Sequence, residues 1–226
     1  MLTHSLFHFA RLRSAVLALV FLAFLPAAAL AFDLQAHRGG RGLLPENTLA
    51  SFENALRMGA TTLELDIAIT ADGVPVIYHD RALNPDITRD ASGQWLKERG
   101  PLIRSLTLAQ VQSYDVGRIN PASKYAKDFP DQQPRDGQRI ATLASLFKLV
   151  NELVAKDELF YMETKIDPRY PDQTIAPQEF VNAVLAEIRK AGMTQRVMVQ
   201  SFDWRTLDLL HKLEPGLRTM YLTIAI

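Results

Sequence analysis

The chain has 226 residues, with 25 basic and 25 acidic side chains, five histidines and no cysteine. Balanced charge excludes the basic face that nucleic-acid phosphates demand, so no nucleic-acid partner is expected. The lack of cysteine excludes disulfides, leaving a hydrophobic core and any bound metal to hold the fold.

The first 31 residues read as a leader. Arg11 and Arg13 precede an apolar stretch from Ala15 to Leu25, followed by Pro26 and small residues ending Ala29-Leu30-Ala31. A basic start, apolar middle and Ala-x-Ala site predict a signal peptide over 1–31, cleaved near Ala31, and a periplasmic or secreted product. A membrane span needs about 20 apolar residues. This run is shorter and broken by Pro26, so no stable span is expected after cleavage. Cleavage removes two arginines and no acid, leaving 195 residues of net charge −2, expected to form one domain over 32–226.

Strand-like runs follow at Asp33–Arg38, Thr62–Ile69, Phe160–Ile166, Val197–Phe202 and Leu217–Ile224, with helical patterns between them. That alternation predicts βα units around a parallel sheet. The first helix has Asn47 as expected N-cap, Leu49, Phe52 and Leu56 on one face, and Gly59 at its end. Further helices are expected at Thr107–Tyr114, Thr142–Val154, Gln178–Lys190 and Asp203–Leu213. Val74–His79 follows its neighbour after only Thr70-Ala71-Asp72-Gly73, too short for a parallel crossover, so Asp72-Gly73 should turn a hairpin that sets His79 opposite Asp66. The segment 81–139 is rich in Pro, Gly, Asp and Gln, with little periodicity. It is either an excursion shaping a cleft or a mobile insertion.

Three histidines remain beyond the leader. His37 and His79 each end an apolar, β-prone run, whereas His211 falls in an amphipathic helix. In Leu63-Glu64-Leu65-Asp66-Ile67 the period of two puts both carboxylates on one face. Two acids on a buried strand repel and lose hydration, and a divalent cation compensates most simply. Glu163 and Lys165 likewise share a face, adding a third carboxylate and a positive charge, although such a pair is also commonplace at a surface. An all-oxygen set of Glu64, Asp66 and Glu163 suits Mg²⁺ or Ca²⁺. Arg38 and Lys165 suit an anionic phosphoryl group, and the glycines after Arg38 allow a sharp turn.

Taken in order, His37-Arg38-Gly39, Pro45-Glu46-Asn47-Thr48, Glu64-x-Asp66, Asp72-Gly73 with Pro75-Val76, His79-Asp80 and Glu163-x-Lys165 resemble the glycerophosphodiester phosphodiesterase family. The resemblance implies an α/β fold, the TIM (β/α)₈ barrel, with its site at the C-terminal strand ends. It implies hydrolysis of small glycerophosphodiesters to sn-glycerol 3-phosphate and an alcohol. Residue by residue, it implies Glu64, Asp66 and Glu163 as metal ligands, His37 and His79 as catalytic groups, and Arg38 and Lys165 as phosphate contacts. Glu46 and Asn47 match the motif's substrate-side positions, although a helix cap explains Asn47 equally well. His37 is expected on the nucleophile side and His79 at the leaving group. The nucleophile expected is the substrate's own hydroxyl, giving a cyclic phosphate that water opens.

Only five barrel strands and the hairpin precede Ile226, so the barrel is expected to be truncated after about its fifth strand, with the insertion after the second. Residues 32–226 alone are therefore expected to associate and to show little activity. The competing readings are a lysophospholipase D-like or sphingomyelinase D-like phosphodiesterase, a non-catalytic phosphodiester-binding periplasmic protein, and an inactive fragment.

Overall fold

Alternation in one strand organises the molecule. In the computed structural model, which describes residues 32–153 and 157–224, Leu63, Leu65, Ile67 and Ile69 enter the main hydrophobic core. Glu64, Asp66 and Ala68 therefore take the opposite face. The expected signal peptide, Val154 of the third expected helix and the break at Ile226 lie outside the described residues.

In chain order the elements are β1 (Gln35–Ala36), α1 (Leu49–Arg57), β2 (Thr62–Ile69), β3 (Pro75–Ile77), α2 (Leu108–Val111), α3 (Leu143–Glu152), β4 (Leu159–Thr164), α4 (Pro177–Lys190), β5 (Val197–Ser201), α5 (Trp204–Leu213) and β6 (Arg218–Tyr221). The parallel strands lie in the order β1-β2-β4-β5-β6, and β3 pairs antiparallel with β2. Each parallel strand thus neighbours the next one in sequence, the winding of a (β/α)₈ barrel. Among the described residues the sheet stays open between β1 and β6.

Phe52 and Ala55 of α1, Leu146, Phe147 and Val150 of α3, Phe180 and Val184 of α4, and Leu207 and Leu210 of α5 share the core with the outward strand residues. Phe147 meets Phe160 edge to face, with centroids 5.3 Å apart. No helix among the described residues is long and apolar enough to cross a membrane.

Two local expectations are corrected. The N-cap of α1 is Thr48, not Asn47: the Thr48 hydroxyl accepts from the Ser51 amide at 3.2 Å, a contact that typically contributes about 1 kcal/mol. The hairpin is also one residue out of the expected register. Its loop is Ala71-Asp72-Gly73, closed by Gly73 N donating to Thr70 O at 3.0 Å and Thr70 N donating to Val74 O at 3.1 Å. Gly73 takes the positive φ of 78° that a three-residue loop requires. Tyr78, not His79, therefore stands opposite Asp66, its amide donating to Asp66 O at 2.9 Å.

The segment 81–139 is packed. Leu83, Ile87, Ile103, Val111 and Val116 form a second core with Ala68, Val76, Tyr78 and Ile140. Ala68 puts that core on the same sheet face as the carboxylates. Arg89 ties the segment together, with its Nη2 2.6 Å from both Asp115 Oδ2 and Asp136 Oδ1.

Candidate active site

Gly39 explains how β1 delivers His37 and Arg38. After Ala36 the chain leaves the sheet in a 3₁₀ turn, His37–Gly39, with φ of 51° at Arg38, 75° at Gly39 and 89° at Gly40. A Cβ on Gly39 would lie 2.5 Å from Ser51 Oγ and 2.9 Å from Phe52 Cδ1, so only glycine lets the turn sit on α1. A left-handed conformation at a residue such as Arg38 costs on the order of 1 kcal/mol or more. It is fixed by the Arg38 amide donating to Glu64 Oε2 at 2.8 Å and the Asn47 amide donating to Arg38 O at 2.9 Å.

Glu64 and Asp66 come from β2 and Glu163 from β4, where Asp66 pairs in register with Glu163. One oxygen from each of the three carboxylates lies within 4.8 Å of the others. Their compensation is uneven. Lys165 Nζ is 2.6 Å from Glu163 Oε1 and 3.6 Å from Asp66 Oδ1, and Arg38 Nε is 3.3 Å from Asp66 Oδ2. Among the described residues Glu64 accepts hydrogen bonds only from the Arg38 amide and the Gln200 side-chain amide, the latter at 3.2 Å. Its remaining close neighbour, His37 Nε2, is 3.8 Å away. Burial first, and then the Asp66 charge, push the Glu64 carboxyl up to about 8.

The surroundings of the two histidines differ. Burial, followed by the charges of Arg41 and Arg38, pushes His37 down to about 4, so its 3.8 Å approach to Glu64 is that of a neutral imidazole. His79 Nδ1 lies 2.6 Å from Asp80 Oδ1, and Asp80 Oδ2 accepts from Asn84 Nδ2 at 2.8 Å. That leaves His79 Nε2 for the cavity. Burial alone would raise the Asp80 carboxyl, but its interactions with His79, together with the Asn84 hydrogen bond and the Arg38 charge, hold it below the ordinary value.

A cavity of about 770 Å³ opens beside these groups, lined by His79, Glu163, Lys165, Arg81, Phe202 and Trp204 among others. The structure thus brings together Glu64, Asp66, Glu163, Arg38, Lys165 and His37, with His79 on the cavity wall. Glu46 binds Arg38 Nη1 through Oε1 at 2.8 Å. Asn47, at a φ of 57°, donates Nδ2 to Asp66 Oδ2 at 2.9 Å. Asp80, Gln200 and Tyr125, given no role in the sequence reading, also belong here. Asp80 adjoins a singled-out histidine and was within reach of that reading. Gln200 and Tyr125 carried no sequence signal.

Three carboxylates this close, two buried and one half-buried, and one of them without a side-chain cation among the described residues, fit a hard divalent ion. The buried Asn47 Oδ1 beside Asp66, without a hydrogen-bond partner among the described residues, fits it too.

Residues 37–225 match the profile of the Glycerophosphoryl diester phosphodiesterase family. A glycerophosphodiester phosphodiesterase of Bacillus subtilis is 30% identical over 191 residues, covering 83% of this chain and 58% of that protein. The human Glycerophosphodiester phosphodiesterase 1 is 40% identical over 189 residues, covering 78% and 50%. A solved Silicibacter pomeroyi structure, provisionally titled a glycerophosphoryl diester phosphodiesterase, superposes with a TM-score of 0.80 at 36% identity, covering 85% of this chain and 65% of that one. The chain spans 58–63% of the length of the first bacterial relatives it matches. With the family profile matched across nearly all of the described residues and the (β/α)₈ winding shared with the solved relatives, the chain belongs to the glycerophosphoryl diester phosphodiesterase family.

Proposed function

We propose that the protein hydrolyses glycerophosphodiesters to sn-glycerol 3-phosphate and an alcohol. The observation that carries this reading is the convergence of Glu64, Asp66 and Glu163 within 4.8 Å, beside Arg38, Lys165 and two histidines with different hydrogen-bond surroundings. Glu64, Asp66 and Glu163 would hold Mg²⁺ or Ca²⁺, which when bound supplies Lewis-acid polarisation of a phosphoryl oxygen.

Arg38 and Lys165 bind and orient the phosphoryl group. His37, partly desolvated beside Arg41 and Arg38 and so held below its ordinary value, takes the proton of the attacking hydroxyl as its oxygen bonds to phosphorus. His79, oriented by Asp80 at 2.6 Å, gives a proton to the departing alcohol oxygen as the P–O bond breaks; where the attacking hydroxyl is the substrate's own, the cyclic phosphate left is opened by water, whose oxygen bonds to phosphorus as the ring P–O bond breaks to give sn-glycerol 3-phosphate. The names of the relatives support the substrate class.

Turnover of glycerophosphocholine by the protein should vanish in excess chelator and return with Mg²⁺ or Ca²⁺. Undiminished turnover with the metal verified absent would remove the cation from the reaction. We also propose export, on the strength of the leader composition over 1–31. N-terminal sequencing of the mature protein should then begin at Phe32.

A further inference from the structure

The segment 81–139 reaches the site through Tyr125, which sits in a 3₁₀ turn, Tyr125–Asp128. The Tyr125 hydroxyl donates to Glu46 Oε2. The other Glu46 oxygen, Oε1, accepts from Arg38 Nη1 at 2.8 Å, and Arg38 Nε lies 3.3 Å from Asp66 Oδ2. A hydroxyl, a carboxylate and a guanidinium thus form a hydrogen-bonded chain that meets the carboxylate cluster through an ion pair.

The contact is built from several directions. Arg41 Nη1 donates to the Tyr125 hydroxyl at 3.1 Å, and the Arg41 guanidinium lies 4.9 Å from the centroid of Phe129. Tyr125 and Phe129 meet edge to face at 5.0 Å. Gln132 Nε2 donates to Arg41 O at 2.7 Å, and Gln133 N donates to Leu43 O at 2.8 Å. The segment therefore docks on the same loop, 37–47, that carries His37, Arg38 and Glu46.

Glu46 is 6% exposed, so both its oxygens need donors from the protein. One donor at each oxygen fixes the carboxylate plane, and a guanidinium is a rigid fork whose direction follows the plane it grips. Nη1 gives one N–H to Glu46, and Nε faces Asp66 as an ion pair without a hydrogen bond, so the donors left for a phosphoryl oxygen are those of Nη2 and the second N–H of Nη1. Burial, and next the Glu46 charge, push the phenol of Tyr125 above its ordinary range and keep its proton in place.

Resting on the proposed phosphodiesterase reading, we propose that Tyr125 is a positioning residue: through Glu46 it sets the angle at which Arg38 presents its guanidinium to the substrate phosphoryl group. The segment 81–139 is on this view part of the binding apparatus for the phosphodiester, and its contribution falls on affinity.

The test compares the full chain with Tyr125→Phe, which removes only the hydroxyl and keeps the ring against Phe129. The KM for glycerophosphocholine should rise roughly tenfold with kcat nearly unchanged, the scale of one hydrogen bond to a charged group. Calorimetric affinity for inorganic phosphate in Mg²⁺ should weaken in parallel, with an unchanged melting midpoint. Glu46→Gln should behave similarly, and adding Tyr125→Phe to it should cost little more, because the two act through one contact. If Tyr125→Phe fails to fold, Glu46→Gln reads the same link from its other end.

Unchanged KM and phosphate affinity in both variants, or fully additive losses, would overturn the proposal. Absence of turnover in the unsubstituted chain would instead count against the hydrolase reading. The positioning is then read from the Arg38 Nε–Hε resonance, which should shift in Tyr125→Phe, and an identical resonance would refute it.

Discussion

His37 and His79 carry the same ring into different surroundings. His37 is pushed down to about 4 by burial and by the nearby arginines, whereas His79 is gripped by Asp80 at 2.6 Å. His37→Ala and His79→Ala should each lower kcat by on the order of 10²–10⁴-fold, the usual contribution of positioned acid–base groups. Circular-dichroism melting should change little. His211 is exposed in the last turn of α5, and His211→Ala should leave turnover near its starting value. Equal damage from His211→Ala and His79→Ala would end the distinction between them. At this scale the carboxylates were legible because a strand's period of two, applied to Leu63–Ile67, decides which residues share a face. Tyr125 and Gln200 were not, since their partners Glu46 and Glu64 lie 79 and 136 residues away in the chain, and no local pattern encodes such pairs.

Elements with a sharp hydrophobic period matched their expected bounds closely. α4 runs Pro177–Lys190 against an expected start at Gln178, and Thr142, where the third helix was expected to begin, caps α3 by accepting from the Ser145 amide at 3.0 Å. β1 is shorter than its apolar run because the His37–Gly39 turn pulls the chain off the sheet. The segment 81–139 was illegible as structure because it is held by isolated bridges and ion pairs, such as Arg89 with Asp115, which have no period. Its response to pH follows from Asp136. Hydrogen bonds from Arg118 and then Arg89 hold that carboxyl down to about 2, below its ordinary 3.8. A depressed value means the stabilising contribution is present above about 4 and is lost as the pH falls from there through about 2. Arg89 stacks on Trp95 at 5.4 Å, so Trp95 fluorescence in a Trp204→Phe background should change across that window. Asp136→Asn should flatten the change, and a transition centred near pH 6 would exclude this carboxylate as its source.

Across the whole molecule, protection should follow the sheet order. β2 and β4 are paired on both sides and every residue of β2 is buried, whereas β6 pairs only with β5 among the described residues and its outer two residues are exposed. Amide hydrogen exchange should be slowest in β2 and β4 and fastest among the parallel strands in β6. Uniform protection from β2 to β6 would mean that the β6 edge is covered. The winding itself was legible from strand and helix alternation, because a right-handed βα unit has few alternatives.

The three-residue tip of the β2–β3 hairpin acts as a gauge for the site. Ala71, Asp72 and Gly73 are exposed, the kind of place where a chain ordinarily accepts extra residues. Yet their number decides that Val76 and Tyr78 face the second core while Ile77 faces the helices. One residue more or fewer, where it shifts the register by one, would reverse those faces and move His79 off the cavity wall it shares with Glu163, roughly 20 Å along the strand from the change. Along this hairpin, tolerance to insertion is set by parity and not by exposure.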